Sequence, residues 1–93
     1  VFLENTNFEL AIISASAFSF AHGFSCLGQV EADLLKFILD KAKMVYMMLD
    51  TSKIDKIMPY TFASPEDIDV LITDDNLPAA VKASFESKNI VVV

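Results

Sequence analysis

Arginine and tryptophan are both absent from this sequence of 93 residues, and its seven basic residues are all lysines. Acidic residues outnumber the lysines by 13 to 7, which gives a formal net charge of −6 at pH 7. A protein that binds DNA needs a concentrated basic patch, because its cations replace the counterions around the phosphates. The lysines here are spread from Lys36 to Lys88. The sequence therefore predicts that this segment does not bind nucleic acid by itself.

Cysteine is almost absent as well. Cys26 is the only one, so an internal disulfide is excluded and a reducing compartment is favoured. The longest apolar stretch, residues 10–21, is interrupted by three serines and is shorter than the ~20 apolar residues that a membrane-spanning helix needs. No basic region precedes it, so it is not typical of a signal peptide. We therefore expect a cytoplasmic protein with no membrane partner.

Hydrophobic residues are plentiful, at 54% of the chain, against ~45–50% in an average globular protein. Either the core is unusually apolar, or one face contacts another chain or another part of the same protein. The first residue is Val1 rather than methionine. We therefore expect this chain to be one small domain cut from a longer protein.

The first half of the chain predicts a strand, a loop and a helix. Residues 10–15 form a short continuous apolar run, which is typical of a strand buried on both faces. Residues 16–28 are expected to form a loop, with glycines as its permissive points. Residues 29–42 predict a helix without interruption by glycine or proline. The stripe that we expect this helix to bury consists of Val30, Leu34, Phe37 and Ile38, widened by Leu35 and Leu39.

The second half continues the alternation of strands and helices. The predicted elements are strands at 44–49, 68–73 and 90–93, a helical turn capped by Ser64, and a helix over 78–87 that Asn89 closes. Strands that alternate with helices imply a mostly parallel sheet with crossover helices. The sequence therefore predicts an α/β fold.

Two blocks of sequence resemble a known family. Leu49–Lys53 reads Leu-Asp-Thr-Ser-Lys, and Ile68–Asp75 reads Ile-Asp-Val-Leu-Ile-Thr-Asp-Asp. They are similar to the Ala-Asp-Ser-Ser-Lys and Ile-Asp-x-Leu-Ile-Thr-Asp blocks of the effector domain of DeoR-family transcriptional repressors. Upstream, Ala11–Phe18 and His22–Asp33 lie where that family has an apolar strand with a Gly-x-Asp-Gly loop, then Gly-Gly-hydrophobic-Thr and Glu-Ala-Glu.

The resemblance implies both a fold and a role. The fold would be a partial three-layer α/β sandwich with a mostly parallel sheet, like ribose-5-phosphate isomerase and CoA-transferases, lacking its N-terminal half. Residues 1–93 would be the C-terminal portion of the effector-binding domain, and a winged helix-turn-helix that precedes it would bind DNA. The partner would be a phosphorylated sugar, and the parent protein would be a cytoplasmic homo-oligomer. The resemblance implies neither catalysis nor a cofactor.

Three residues after the second predicted strand are candidates for effector binding. Ligands of open parallel sheets bind beyond the carboxyl ends of the strands. Asp50, Ser52 and Lys53 lie there, and they supply an acid, a hydroxyl and an ammonium for a sugar hydroxyl or a phosphate. The alternative is a structural turn in which Asp50 accepts backbone N–H bonds.

Four further candidates come from the resemblance. Glu31 is expected to accept sugar hydroxyls, unless it only complements the helix dipole. Ser14 and Ser16 stand at the family's glycine-rich loop, where they replace a Gly and an Asp, and Gly23 keeps a family glycine. The loss of loop glycines restricts the backbone where it should approach a ligand.

Two alternatives to the regulator remain open. One is a sugar-phosphate isomerase-like enzyme fragment, and the other is an oligomerisation module whose ligand binding has decayed. An isomerase needs a positioned base, but Ser16 stands where an essential acid is expected and His22 has no recognisable partner. The spacing of the acidic residues from 67 to 75 is not that of a calcium loop, so capping explains them better than a metal does.

Overall fold

The structure is a computed structural model, and it describes residues 7–93. Val1, on which the expectation of a longer parent protein rests, lies outside this range. The described elements, in chain order, are β1 Phe8–Ser14, β2 Ala17–Ser19, β3 Gly23–Cys26, α1 Gln29–Lys41, β4 Ala42–Met48, β5 Tyr60–Ala63, β6 Val70–Ile72, α2 Ala79–Glu86 and β7 Val91–Val92.

Four strands form a parallel sheet in the order β1-β4-β6-β7. The strands are short apolar runs. Helices α1 and α2 bring the chain back to the end of the sheet at which the next parallel strand begins, as parallel pairing requires. The last residues of three strands are in register, with Ser14 beside Met48 and Met48 beside Ile72. The prediction of an α/β fold with a mostly parallel sheet is confirmed.

A second sheet is antiparallel and has the order β2-β3-β5. The prediction of a loop over residues 16–28 is therefore wrong, because β2 and β3 form a hairpin there. Gly23 follows the hairpin turn with a φ of +77°, in the left-handed region that favours glycine. The strand β5 was not predicted, since four residues carry too little periodicity to distinguish a strand from a loop.

The hydrophobic core lies between one face of the parallel sheet, the antiparallel sheet and the helices. A group of phenylalanines occupies its centre. Phe18, Phe24 and Phe85 are fully buried, and the Phe18 ring centroid lies 4.5 Å from that of Phe24 and 5.1 Å from that of Phe85. Since Phe85 belongs to α2 and the other two to the antiparallel sheet, this aromatic cluster joins the helix to the small sheet.

The other face of the parallel sheet is open. Along β1, Ala11 and Ile13 are buried, but Leu10 and Ile12 are 46% and 56% exposed. The prediction that this strand is buried on both faces is wrong, because its side chains alternate between the core and the surface. An apolar face of this kind is typical of a parallel sheet that is covered on both of its faces.

Helix α1 ends as predicted but presents a different face to the core. Ala32 is buried, and Leu35 and Leu39 pack against the core. The predicted buried stripe is wrong in its centre, since Val30 is 83% exposed and Leu34 48% exposed. Apolar residues cover more than half of the circumference of this helix, so its sequence period alone does not select which part of that surface faces the core.

Two predicted signals for the ends of helical segments, at Ser64 and Asn89, are confirmed. The Ser64 side chain and the Asp67 carboxylate form a capping box around the short turn Pro65–Asp67, with the Ser64 N–H donating to Asp67 Oδ2 at 2.8 Å. Asn89 adopts a φ of +65° after α2, which an asparagine side chain tolerates.

Candidate functional site

A crevice of about 450 Å³ opens at the carboxyl ends of β1, β4 and β6. Because these three strands end in register, the residues that follow them meet at one edge of the sheet. The lining residues are Ser14, Ala15, Met48, Leu49, Asp50, Lys53, Ile72, Thr73 and Asp74. The crevice therefore has an apolar base and a rim of hydroxyl, carboxylate and ammonium groups, at the position where open parallel sheets bind ligands.

Asp50 and Lys53 are held at the rim by a 3-10 turn over Thr51–Lys53. The Asp50 carboxylate caps this turn by accepting the Ser52 N–H at 3.2 Å. The predicted structural turn is therefore present. Asp50 caps this turn and lines the crevice at the same time. Lys53 is half-buried in the last turn, with its side chain among the lining residues. The same local geometry thus supplies both a fixed acid and a cation.

Asp74 links the end of β6 to the same turn. Its carboxylate accepts the Thr51 N–H at 3.1 Å, the Thr51 hydroxyl at 2.8 Å and the Asn76 N–H at 2.9 Å. These hydrogen bonds, first those of the Asn76 and Thr51 N–H groups, lower the pKa of Asp74 from 3.8 to about 2. Asp74 and Thr51 were not predicted as site residues, although Asp74 follows a strand end just as Asp50 does.

We expect Asp74 to make the stability of the fold sensitive to acid. Its pKa is lower in the folded state than in the unfolded chain, so its contribution is complete above about pH 4 and is lost as the pH falls towards 2. The Asp74→Asn variant should show a flatter decrease of the melting temperature between pH 4 and 2, measured by circular dichroism.

The neighbouring Asp75→Asn variant is the control. Asp75 is exposed, and its replacement removes the same charge but none of the hydrogen bonds to Thr51 and Asn76. If both variants change the acid dependence equally, the effect comes from net charge and not from the Asp74 network.

Thr73 places a second hydroxyl at the crevice. Its Oγ1 atom is buried and has no hydrogen-bond partner among the described residues. A buried hydroxyl without a partner costs about 1–3 kcal/mol, so such atoms are uncommon in folded proteins. The residue lines the crevice, but protein atoms enclose its Oγ1 atom, so this hydroxyl is not exposed to a group that enters there.

The structure brings together three of the seven predicted site residues. Ser14, Asp50 and Lys53 line the crevice. The other four predicted residues, which are not among its lining residues, are Ser16, Gly23, Glu31 and Ser52.

Each of these four has a structural position that is now clear. The Ser16 N–H donates to the Ser25 carbonyl at 3.0 Å, and Ser52 is exposed on the 3-10 turn. Gly23 is buried in β3, where a Cβ would collide with the Ala63 carbonyl oxygen. Glu31 is exposed in the first turn of α1, which suits the helix dipole.

The two nucleophile candidates do not form a catalytic arrangement in residues 7–93. Cys26 is 1% exposed, its Sγ lies 3.4 Å from the Gly28 carbonyl oxygen, and burial raises the pKa of its thiol. His22 is exposed, and its Nδ1 lies 3.4 Å from the Ser19 hydroxyl. A reactive thiol needs a depressed pKa, so Cys26 is structural. The same part of the chain has no group of three or more His, Cys, Asp or Glu side chains that could hold a metal ion.

The parallel sheet defines an α/β domain, and its crevice lies at the position where open parallel sheets bind ligands. Among the described residues, neither helix is long and apolar enough to cross a membrane. Residues 1–75 match the model of the DeoR C-terminal sensor domain. The chain belongs to this family, as the sequence blocks at Leu49–Lys53 and Ile68–Asp75 predicted.

Curated relatives agree with this assignment. The chain is 34% identical over 92 residues to the HTH-type transcriptional regulator GlpR of Haloferax volcanii. This alignment covers 99% of this chain and 36% of the relative. It is 26% identical over 90 residues to GolR of Listeria innocua, covering 97% of this chain and 35% of the relative. It is 31% identical over 75 residues to IolR of Bacillus subtilis, covering 81% of this chain and 30% of the relative. The chain thus spans about a third of the length of these regulators.

Proposed function

We propose that this chain is the effector-binding part of a cytoplasmic transcriptional regulator, and that the crevice binds a phosphorylated sugar. The observation that carries the proposal is the convergence of Lys53, Asp50 and Asp74 at the in-register ends of three parallel strands. The family match and the regulators among the relatives support a sensor over an isomerase-like enzyme.

The groups at the rim suit the two chemical parts of such a ligand. An ammonium pairs with a phosphate as a point charge, and Lys53 is the cation among the lining residues. Carboxylates accept hydrogen bonds from sugar hydroxyls, and Asp50 and Asp74 provide two of them. The Ser14 hydroxyl both donates and accepts, so it matches a further sugar hydroxyl.

The DNA-binding activity belongs, in this proposal, to a winged helix-turn-helix in the longer protein. The charge of −6 and the scattered lysines of this segment support that division of roles. Effector binding in the crevice would then change the affinity of the whole protein for its operator, with coupling between two distinct sites.

The Lys53→Gln variant of the full-length regulator should bind its phosphorylated sugar about 10- to 100-fold more weakly. A hydrogen bond to a charged group contributes about 1.5–3 kcal/mol, which corresponds to that range of affinity. Isothermal titration against a panel of sugar phosphates measures the change, and release of operator DNA is followed in parallel. The unphosphorylated sugars should bind the variant and the parent protein almost equally.

Lys56→Gln is the matched control. Lys56 is exposed and is not among the lining residues of the crevice, so this substitution removes the same charge at a distance from it. Equal losses in both variants would contradict a specific role for Lys53. Conversion of any sugar phosphate to a product would contradict the regulator, and the absence of binding by the whole panel would favour a module whose ligand binding has decayed.

A further inference from the structure

The 3-10 turn that carries Lys53 is held at both of its ends by residues distant in the chain. At its start, Thr51 donates its N–H to Asp74 Oδ2 at 3.1 Å and its hydroxyl to Asp74 Oδ1 at 2.8 Å. Just after its end, the Asp55 N–H donates to the Phe18 carbonyl oxygen at 2.7 Å. Asp74 follows β6 of the parallel sheet, and Phe18 belongs to β2 of the antiparallel sheet. Hydrogen bonds therefore tie this turn to both sheets.

The bonds inside the turn fix its shape but not its place beside the crevice. The Lys53 N–H donates to the Asp50 carbonyl oxygen at 2.9 Å. The Ile54 N–H donates to the Thr51 carbonyl oxygen at 3.2 Å. These residues belong to the turn or flank it, and a 3-10 turn of three residues is a short element with poor hydrogen-bond geometry. The position of Lys53 relative to β6 therefore depends on bonds that leave the turn, above all those between Thr51 and Asp74.

Most of the accepting capacity of the Asp74 carboxylate is used within the protein. A carboxylate has about four sites that accept hydrogen bonds. The Thr51 N–H, the Thr51 hydroxyl and the Asn76 N–H all donate to it, which leaves about one site for a ligand. Thr51 is not itself among the lining residues of the crevice. The pair thus has the geometry of a support for the turn, with the ligand in contact with other groups.

We infer that Thr51 is a positioning residue of the effector site, and that through Asp74 it holds the Lys53 ammonium where the phosphate of the ligand binds. This inference rests on the proposed function, because it explains how the crevice is kept ready for a phosphorylated sugar. A lysine side chain loses much rotamer freedom when its ammonium is fixed. A backbone that is already held in place removes a further entropic cost of binding, which raises the affinity.

A double-mutant cycle in the full-length regulator tests this inference. The probe is whichever member of a panel of triose, pentose and hexose phosphates binds the parent protein most tightly. Thr51→Val removes the hydroxyl bond to Asp74 and keeps the N–H bond, and we expect about 10-fold weaker binding, within the range for residues of one hydrogen-bond network. In the Lys53→Gln background the same substitution should weaken binding by only about 2-fold, because the cation that Thr51 positions is gone.

Thr61→Val is the matched control, and Thr51→Ser is the rescue. The Thr61 hydroxyl donates to the His22 carbonyl oxygen at 3.0 Å, and Thr61 is not among the lining residues of the crevice. The same chemical change is thus made away from the crevice, so it should leave the affinity unchanged. Thr51→Ser keeps the hydroxyl and should bind the probe within about 2-fold of the parent protein. A purely structural role of the two threonines would lower the melting temperature of both valine variants and the affinity of neither.

Hydrogen exchange of the ligand-free regulator gives a readout that needs no sugar. The peptide that contains residues 50–54 should exchange its amide hydrogens faster in Thr51→Val than in the parent protein or in Thr61→Val. Unchanged exchange would overturn the inference. So would normal sugar-phosphate binding by Thr51→Val where Lys53→Gln binds weakly, or an equal loss from Thr51→Val in both Lys53 backgrounds. Absence of binding by the parent protein across the whole panel would refute the proposed function itself, and with it any role of Thr51 in binding.

Discussion

Replacing Phe85 with alanine should cost about 3–5 kcal/mol of the free energy of unfolding, the usual range for a buried phenylalanine. Phe85 is fully buried, and its ring lies 5.1 Å from that of Phe18 and 6.4 Å from that of Phe24. The variant would leave a cavity between α2 and the antiparallel sheet. Because a domain is stable by only about 5–15 kcal/mol, a large part of its stability would be lost. Urea denaturation followed by circular dichroism measures the change.

Phe20→Ala is the control for this prediction. Its ring belongs to the same cluster, with centroids 4.9 Å from Phe18 and 5.3 Å from Phe85, but the residue is 44% exposed. Phe20→Ala removes the same atoms as Phe85→Ala, but about half of the surface of Phe20 is already in contact with water. We expect the loss to be less than half of that for Phe85→Ala. Equal losses would show that ring contacts, and not burial, determine the stability of the cluster.

The Gly23→Ala substitution should destabilise the fold by about 2–5 kcal/mol. A side chain at a φ of +77° costs about 1–2 kcal/mol, and overpacking adds about 1–3 kcal/mol. The overpacking arises because the new Cβ would overlap the Ala63 carbonyl oxygen of β5, which is backbone and has no rotamer to change. The melting temperature and the urea midpoint should both fall.

Gly28→Ala provides the matched control. Gly28 has a φ of −114°, and the nearest atom to an added Cβ is Glu31 Cβ at 3.8 Å, an ordinary contact. Because Gly28 is the N-cap residue of α1, where alanine is less favourable than glycine, we expect a loss of at most about 1 kcal/mol, well below that for Gly23→Ala. A Gly28→Ala variant as unstable as Gly23→Ala would contradict the assignment of the cost to backbone conformation and close approach.

The parallel sheet was predictable from the sequence because its strands are apolar runs that alternate with helices. The bounds of α1, the cap at Ser64 and the left-handed Asn89 were also predictable, since each depends on residues close together in the chain. The antiparallel sheet was not. Its strands have three or four residues each, and β5 pairs with a strand more than 30 residues earlier, so no local pattern identifies it.

The orientation of α1 shows a different limit. Val30 and Leu34 are as apolar as Leu35 and Leu39, so periodicity identifies the helix but not the side that faces the core. The strands against which α1 packs, in both sheets, decide that question.

The candidate site was partly predictable for a similar reason. Asp50 and Lys53 follow a strand that the sequence identifies, and ligands bind beyond such strand ends. Asp74 follows β6 in the same way, but a turn-and-cap role also explains an acid before Asn76. Its additional hydrogen bonds to Thr51, 23 residues earlier in the chain, depend on the register of β4 and β6.

The arrangement of the two sheets also bears on the order in which the chain folds. Phe18 pairs with Phe24 only six residues later, whereas Phe8 pairs with Ala42 and Val70 with Val91. Closing a long loop costs more entropy than closing a short one, and distant pairings slow folding. The β2–β3 hairpin and α1 should therefore form before the parallel sheet. The crevice would be completed last, when the three strand ends that build it come together.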